Sequence, residues 1–249
     1  MNTFKDHFSG HADRYREARP TYPPELFAWL ARQTPDNELA WDAGCGNGQA
    51  TVALAGHFQR VIGTDPSANQ IAAAEPRGNI DYRVEPAEQP SLHDTSASLV
   101  TVAQALHWFD HARFYAAVKR VLKPGGVFAA WTYADCSTGE AAIDRAKDHL
   151  YVDLTGKYWP PERVHVDSGY TTLPFPFVEI ASPPFEMTAR WTAEEFLAYL
   201  RTWSATQRYL KTEGVDPVRL IEPDLRTAWG DPALARSVRW TFSVRAGRV

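Results

Sequence analysis

The chain of 249 residues contains little cysteine and lacks any long apolar run. Its two cysteines, Cys45 and Cys136, are too few for a disulfide framework, which favours a reducing compartment. No run of eighteen apolar residues occurs, so we expect no membrane span. The first residues also lack the apolar core of a signal peptide. We therefore expect a cytoplasmic protein.

The sequence also lacks an excess of basic residues. The formal net charge is −4 and no cluster of Lys and Arg stands out, which argues against a nucleic-acid partner. His107 and His111 are four residues apart, as are His7 and His11, but neither pair carries the glutamate of the zinc motif H-E-x-x-H. We predict no nucleic-acid, membrane or metal partner, and leave monomer and homodimer open.

Short apolar runs alternate with helical segments between residues 38 and 131. The pattern predicts strands at 39–41, 60–64, 80–84, 98–103 and 127–131, and helices at 51–58, 67–75 and 110–122. A further helix is predicted before this region, at 25–33. Ser67 and Asp110 have the side chains and positions of helix N-caps. Such alternation is typical of a parallel sheet that is covered by helices on both faces. The sequence therefore predicts an α/β fold.

The pattern is looser after residue 133. Helices are predicted at 139–154 and 192–203, and strands at 177–187 and 238–245. Five of the nine tryptophans lie in this half, where they supply core area or line a pocket. We interpret residues 1–249 as one domain. Its expected parts are an N-terminal lid (1–24), a core (38–131), and cap elements over the substrate (133–210) with C-terminal strands to 249.

A glycine-rich turn, Asp42-Ala-Gly-Cys-Gly-Asn-Gly48, directly follows the first strand and precedes a helix. Glycine lets the backbone approach a ligand closely, and the start of the helix adds free N–H donors. Asp65 ends the second strand, 23 residues after Asp42. Because each carboxylate oxygen accepts separately, Asp65 could hold both hydroxyls of a ribose. These two features predict a nucleoside cofactor.

Two details distinguish S-adenosylmethionine from a nicotinamide dinucleotide. The dinucleotide fingerprint asks for its third glycine at position 49, but the chain has it one residue earlier, at Gly48. Asp42 would repel a pyrophosphate, whereas it would attract an ammonium and a sulfonium. The residues therefore favour S-adenosylmethionine, with a nicotinamide-dependent oxidoreductase as the alternative.

Further motifs follow the third and fourth strands and precede the fifth: Ala87-Glu88, Gln104-Ala-Leu-His-Trp-Phe109 and Arg120-Val-Leu-Lys-Pro-Gly-Gly126. With the glycine turn and Asp65, they make the chain resemble class I S-adenosylmethionine-dependent methyltransferases of the type 11 branch, which includes trans-aconitate methyltransferases. The likeness runs from about residue 4 to 131. It implies a Rossmann-like, mostly parallel sheet of seven strands with the last antiparallel. It also implies S-adenosylmethionine as cofactor and S-adenosylhomocysteine as product.

The resemblance also assigns residues to the cofactor. Asp42 would orient its amino-acid end, Asp65 would hold the ribose, and Arg19 would pair with the methionine carboxylate. The glycine turn would pack against it and the third-strand motif would border the adenine. The remaining expected contacts are Tyr15, Gly44, Cys45, Gly46, Pro66, Ala87, Glu88 and Gln104.

His107 follows the fourth strand, where ligands of open α/β sheets bind. It is the candidate catalytic residue, as a general base or as a hydrogen-bond donor to a small-molecule acceptor. Its alternative role is to fix the turn before Asp110. Arg201 beside an aromatic wall would suit a carboxylate, in agreement with O-methylation of a carboxylic acid. The expected acceptor contacts are Tyr22, His107, Trp108, Tyr133, Arg201 and Trp203.

No Asn-Pro-Pro-aromatic motif follows the fourth strand, which argues against methylation of a nucleic-acid base. A protein that binds the cofactor without turnover is a second alternative to the enzyme.

Overall fold

The computed structural model describes residues 19–249, and its centre is a sheet of five parallel strands. These strands are β1 (Leu39–Ala43), β2 (Arg60–Asp65), β3 (Ile80–Val84), β4 (Ala97–Ala103) and β5 (Leu122–Ser137). They lie in the order β3-β2-β1-β4-β5. Since β1 is flanked by β2 and β4, the loops after these strands meet at one edge of the sheet, where a ligand is expected.

Three further strands complete the sheet: β6 (Val178–Ile180), β7 (Met187–Trp191) and β8 (Arg236–Arg248). The long β8 runs antiparallel to β5, and both β6 and β7 pair with β8. The antiparallel last strand is as predicted, but within residues 19–249 the sheet has eight strands and not seven. The predicted strand 177–187 is two strands, because Pro183 and Pro184 lie between them and proline has no N–H for a ladder.

Four helices cover the parallel strands: α1 (Pro24–Gln33), α2 (Gln49–Leu54), α3 (Ala68–Ala72) and α4 (His111–Val121). Both predicted N-caps are confirmed. Ser67 Oγ accepts from the Gln70 N–H at 3.4 Å, and Asp110 Oδ1 accepts from the Arg113 N–H at 3.3 Å. Leu26 of α1 and Leu54 of α2 are buried against one face of the sheet. Helix α4 packs on the other face, so the sheet has a hydrophobic core on each side.

The second half of the chain forms a cap over the far end of β5 and β8. It comprises α5 (Ala141–Asp148), a π-helical turn (His149–Leu154), α6 (Arg163–Asp167), α7 (Ala193–Arg201), α8 (Ser204–Glu213) and α9 (Val218–Trp229). Trp203, Trp229 and Trp240 are buried in a third core, to which α5, the π-helical turn, α7 and α9 contribute. The cap thus reaches Trp229, beyond the expected residue 210. Within residues 19–249, no helix is long and apolar enough to cross a membrane.

Candidate active site

The glycine turn follows β1 with three residues in the left-handed region, where φ is +67° at Gly44, +55° at Gly46 and +87° at Gly48. The surroundings of the first two differ. A Cβ at Gly44 would lie 2.9 Å from Ala105 Cβ and from the Phe109 ring, so Gly44 serves the packing of the turn. Among the described residues, a Cβ at Gly46 would meet only the Gln70 side chain, at 3.8 Å. Of the two, Gly46 therefore leaves room for a ligand.

Asp65 joins the glycine turn to the turn that follows β2. Its Oδ2 accepts from the Gly46 N–H at 3.0 Å, and its Oδ1 accepts from the Ser67 N–H at 2.9 Å. The residue is 9% exposed, beside the partly buried Pro66. The carboxylate is therefore fixed where the loops after β1 and β2 meet, at the edge of the sheet where a ligand is expected.

Asp42 is fully buried beneath the glycine turn. Its Oδ2 accepts from Thr51 Oγ1 at 2.7 Å, and its Oδ1 accepts from Thr101 Oγ1 at 2.9 Å. Burial raises the pKa of Asp42 to about 6, although the two hydroxyls oppose this effect. With 0% exposure, the carboxylate is placed to act on a cofactor through its electrostatic field. Burial also raises the pKa of Cys45 in the same turn, so its thiol stays protonated.

The predicted adenine border, Ala87-Glu88, lies beside the turn that follows β4. Ala87 is buried in the core, and Glu88 Oε1 accepts from the backbone N–H of Asp110 at 3.0 Å. Gln104 begins this turn with a φ of +55°, which is rare for a residue other than glycine. Its Nε2 donates to the Tyr133 carbonyl at 3.0 Å, and its Oε1 accepts from Thr132 Oγ1. Gln104 thereby links the ends of β4 and β5.

A cavity of about 80 Å³ lies at this end of the sheet, under the cap. We call it the aromatic cavity, because its walls include the side chains of Trp108, Tyr133, Tyr151, Trp159, Tyr199 and Trp203. Its polar lining comprises Arg19, Gln104, His107, Asp135 and Arg163. The structure thus brings together six of the predicted site residues, namely Arg19, Gln104, His107, Trp108, Tyr133 and Trp203.

Other predicted residues lie elsewhere. Arg201 points into an ion-pair network, where its Nε donates to Asp216 Oδ2 and its Nη2 to Glu222 Oε2, both at 2.9 Å. These two acids are its partners, and Arg201 is not among the residues that line the aromatic cavity. Tyr22 packs its ring edge-on against Trp131, 5.6 Å away, in the core beside the cavity. Tyr15 lies outside the described residues.

Arg19 lies in the wall of the aromatic cavity. Its Nη1 donates to Tyr133 Oη at 2.7 Å, and its Nη2 donates to the Thr202 carbonyl at 3.1 Å. Its guanidinium also lies over the Tyr199 ring, 5.7 Å from the centroid. These contacts bind the start of the described chain to β5 and to the end of α7.

Sequence reasoning missed Arg163 of α6. Its Nε donates to Asp167 Oδ1 at 2.8 Å, and its guanidinium lies 4.6 Å from the Trp159 ring centroid and 5.6 Å from that of Tyr151. Cation–π stacking fixes the plane of the guanidinium. The feature of the sequence that could have indicated this site residue is an arginine within the aromatic, proline-rich segment 156–176.

Among residues 19–249, the side chains that line the aromatic cavity include no strong base. Burial, with smaller electrostatic effects of Arg163, His165 and His111, lowers the pKa of His107 to about 3, so the ring is neutral and accepts protons poorly. Asp135 is bound by the ammonium of Lys147, which is itself only 3% exposed. Among residues 19–249 we find no group of three His, Cys, Asp or Glu side chains that could hold a metal ion.

Comparison with known proteins gives a consistent result. Residues 41–130 match a methyltransferase domain model. A Dictyostelium discoideum protein named as a methyltransferase is 33% identical over 230 residues, which are 91% of this chain and 87% of its own. An uncharacterized methyltransferase of Mycobacterium tuberculosis is 30% identical over 237 residues, 92% of this chain and 88% of its own.

A solved structure from Anaeromyxobacter dehalogenans, described as a type II methyltransferase, superposes with a TM-score of 0.86 at 46% identity. The matched region is 92% of this chain and 97% of the chain in that structure. These matches favour the resemblance seen in the sequence over the oxidoreductase alternative. With its fold, glycine turn and these relatives, the chain belongs to the class I S-adenosylmethionine-dependent methyltransferases.

Proposed function

We propose that the enzyme transfers the methyl group of S-adenosylmethionine to a carboxylate oxygen of a small, flat acid bound in the aromatic cavity. The observation that carries this proposal is a cavity whose walls, as far as residues 19–249 form them, combine aromatic rings with two guanidinium groups and contain no strong base. A cap that excludes water and fixes orientation is the main contribution that a protein makes to such a transfer.

The residues present suit the cofactor. Within residues 19–249 Gly46 leaves room above the turn, and Asp65 supplies a carboxylate, the group that accepts from ribose hydroxyls. The buried charge of Asp42 favours a cationic ligand, and Gln104 lies between this turn and the aromatic cavity. When bound, the cofactor supplies a methyl group that is already activated by its positively charged sulfur.

An acceptor that is already ionised fits the acid–base groups of the cavity. A hydroxyl or an ammonium must lose a proton before it can be methylated, so a base would have to be near. Of the described residues that line the aromatic cavity, His107 and Asp135 are the candidates for this base. His107 accepts protons poorly and Asp135 is held by Lys147. A carboxylate needs no base.

Arg163 is the residue best placed to bind the acid. It lines the aromatic cavity, stacks on Trp159, and uses Nε for Asp167. A guanidinium presents further donors on Nη1 and Nη2, in a fork that matches a carboxylate. The acceptor's flat body would lie among the aromatic side chains.

Calorimetric titration tests the cofactor. We expect S-adenosylmethionine and S-adenosylhomocysteine to bind, and NAD and NADP to give no heat beyond dilution. Binding of a dinucleotide alone would contradict the proposal.

A panel of aromatic and unsaturated acids, each paired with its amide, then tests the acceptor by release of S-adenosylhomocysteine. Turnover of amides but not of acids would disprove carboxylate methylation.

Replacing Arg163 with Gln should raise KM for an acid substrate about 30-fold, because a charged hydrogen bond contributes roughly 1.5–3 kcal/mol. Steady-state kinetics on the best acid of the panel measures this change. Arg201→Gln is the matched control, since Arg201 also belongs to the cap but pairs with Asp216 and Glu222. We expect its KM to be unchanged. If KM rises in Arg201→Gln and is unchanged in Arg163→Gln, Arg201 and not Arg163 binds the acid.

A further inference from the structure

Tyr170 lies behind the aromatic cavity in a backbone conformation that bulky residues rarely adopt. Its φ is +64°, and the residue is fully buried. Its N–H donates to the His165 carbonyl at 2.8 Å, and its carbonyl accepts from Arg245 Nη1 at 3.0 Å. Strained residues of this kind persist where neighbouring contacts hold them, and they cluster at functional sites.

The hydroxyl of Tyr170 lies 3.0 Å from Nδ1 of His107. Nδ1 is the acceptor that lies in hydrogen-bond geometry to this fully buried O–H, so the phenol donates its proton to Nδ1. Burial raises the pKa of Tyr170, which keeps that proton on the phenol. A neutral imidazole that accepts at Nδ1 carries its proton on Nε2.

The other nitrogen of His107 is available to a ligand. His107 lines the aromatic cavity, and within residues 19–249 no hydrogen bond to its Nε2 is formed. Arg163, His165 and His111 are the charged or titratable groups that act on the ring, and all of them oppose its gaining a second proton. The ring therefore stays neutral and presents one N–H.

We infer that Tyr170 is a positioning residue that fixes the proton of His107 on Nε2, so that His107 donates a hydrogen bond to an acceptor oxygen and removes no proton. The acceptor part of this inference rests on the proposed function, whereas the position of the proton does not. An N–H donor directed at an oxygen would orient an acid for transfer, and it complements the charge of Arg163.

Long-range ¹H–¹⁵N spectra of ¹⁵N-histidine-labelled protein test the position of the proton. We expect the His107 ring to show the Nε2-protonated pattern in the parent protein, unchanged between pH 6 and 8. His107→Gln identifies its signals by their loss. In Tyr170→Phe, which keeps the ring and removes the hydroxyl, the signals should shift toward a mixture of the two tautomers. Protonation at Nδ1 in the parent protein would overturn the inference, whether or not the variant folds.

Kinetics with the best acid of the panel test the role of His107. The amide nitrogen of a glutamine can donate near the place of Nε2 but cannot accept a proton. We therefore expect kcat/KM of His107→Gln to stay within about threefold of the parent value, and that of His107→Ala to fall about tenfold, as for one lost hydrogen bond. Equal losses in both variants would show that His107 is a base. If no acid is methylated, the proposed function fails, while the spectra still decide the tautomer.

Discussion

Replacing Asp42 with Asn should make the protein more stable at pH 8, by about 2 kcal/mol, and should have little effect at pH 4. The reason is the burial of a carboxylate whose partners, the hydroxyls of Thr51 and Thr101, carry no charge. Its pKa is raised from 3.8 to about 6, and this gap corresponds to roughly 3 kcal/mol. We expect a smaller gain, because the new amide needs a further acceptor.

The sign of the pH dependence follows from proton binding. Between pH 3.8 and about 6 the folded protein holds a proton on Asp42 that the unfolded chain has lost. The free energy of unfolding therefore falls as the pH rises through this interval, and the loss is complete above about pH 6. An asparagine side chain does not titrate, so the free energy of unfolding of the variant lacks this decrease.

Urea unfolding of both proteins at pH 4, 5, 6, 7 and 8 measures the effect, since contributions of all other groups cancel in the difference. Asp36→Asn is the control, and for it we expect a change in stability of the opposite sign. Burial would raise the pKa of Asp36, but hydrogen bonds from Ser98, Glu38 and Lys123 lower it to about 2. This variant should lose stability at neutral pH. An Asp42→Asn variant that is less stable than the parent protein at pH 8 would contradict our account of Asp42.

The Asp42→Asn variant should also bind S-adenosylmethionine about tenfold more weakly at pH 8, because it lacks the negative charge beneath the glycine turn. Calorimetry at that pH measures the change. Stability and ligand affinity would then move in opposite directions at one residue. Such opposition is typical of a group that is retained for binding and not for folding.

The parts of the fold that the sequence predicts well are those specified by neighbouring residues. Ser67 and Asp110 each bond to an N–H three residues away, so their caps can be recognised in the chain itself. The parallel strands have apolar runs that match their burial on both faces, as in β4. The glycine turn and Asp65 are likewise recognisable, because the fold places them directly after successive strands.

The cap is harder to predict because distant residues determine it. Helix α9 contains Pro223, which argues against a helix in the sequence, yet its buried Ile221 and Leu225 hold it in the third core. The two arginines beside aromatic residues look alike in the sequence. Arg201 meets acids 15 and 21 residues away, whereas Arg163 meets Asp167 and the aromatic cavity. Only tertiary contacts distinguish them.

Replacing Asp65 with Ala should weaken S-adenosylhomocysteine binding at least about 100-fold, because two charged hydrogen bonds to ribose hydroxyls are lost together. Loosening of the glycine turn would contribute, since the N–H groups of Gly46 and Ser67 also lose their acceptor. Asp81→Ala is a suitable control. Asp81 belongs to the adjacent β3 and pairs with Arg60 and Arg83, so binding should be unaffected.

A ligand that lacks the ribose hydroxyls distinguishes the two causes of weaker binding, which are loss of the ribose contact and loosening of the glycine turn. In the parent protein, the 2′,3′-dideoxy analogue of S-adenosylhomocysteine should bind at least about tenfold more weakly than S-adenosylhomocysteine itself. In Asp65→Ala the two ligands should bind equally, whatever the state of the turn, because the difference between them depends only on the missing contact. If the variant still prefers the ligand with hydroxyls by the same factor, Asp65 supports the turn through Gly46 and Ser67, and another residue holds the ribose.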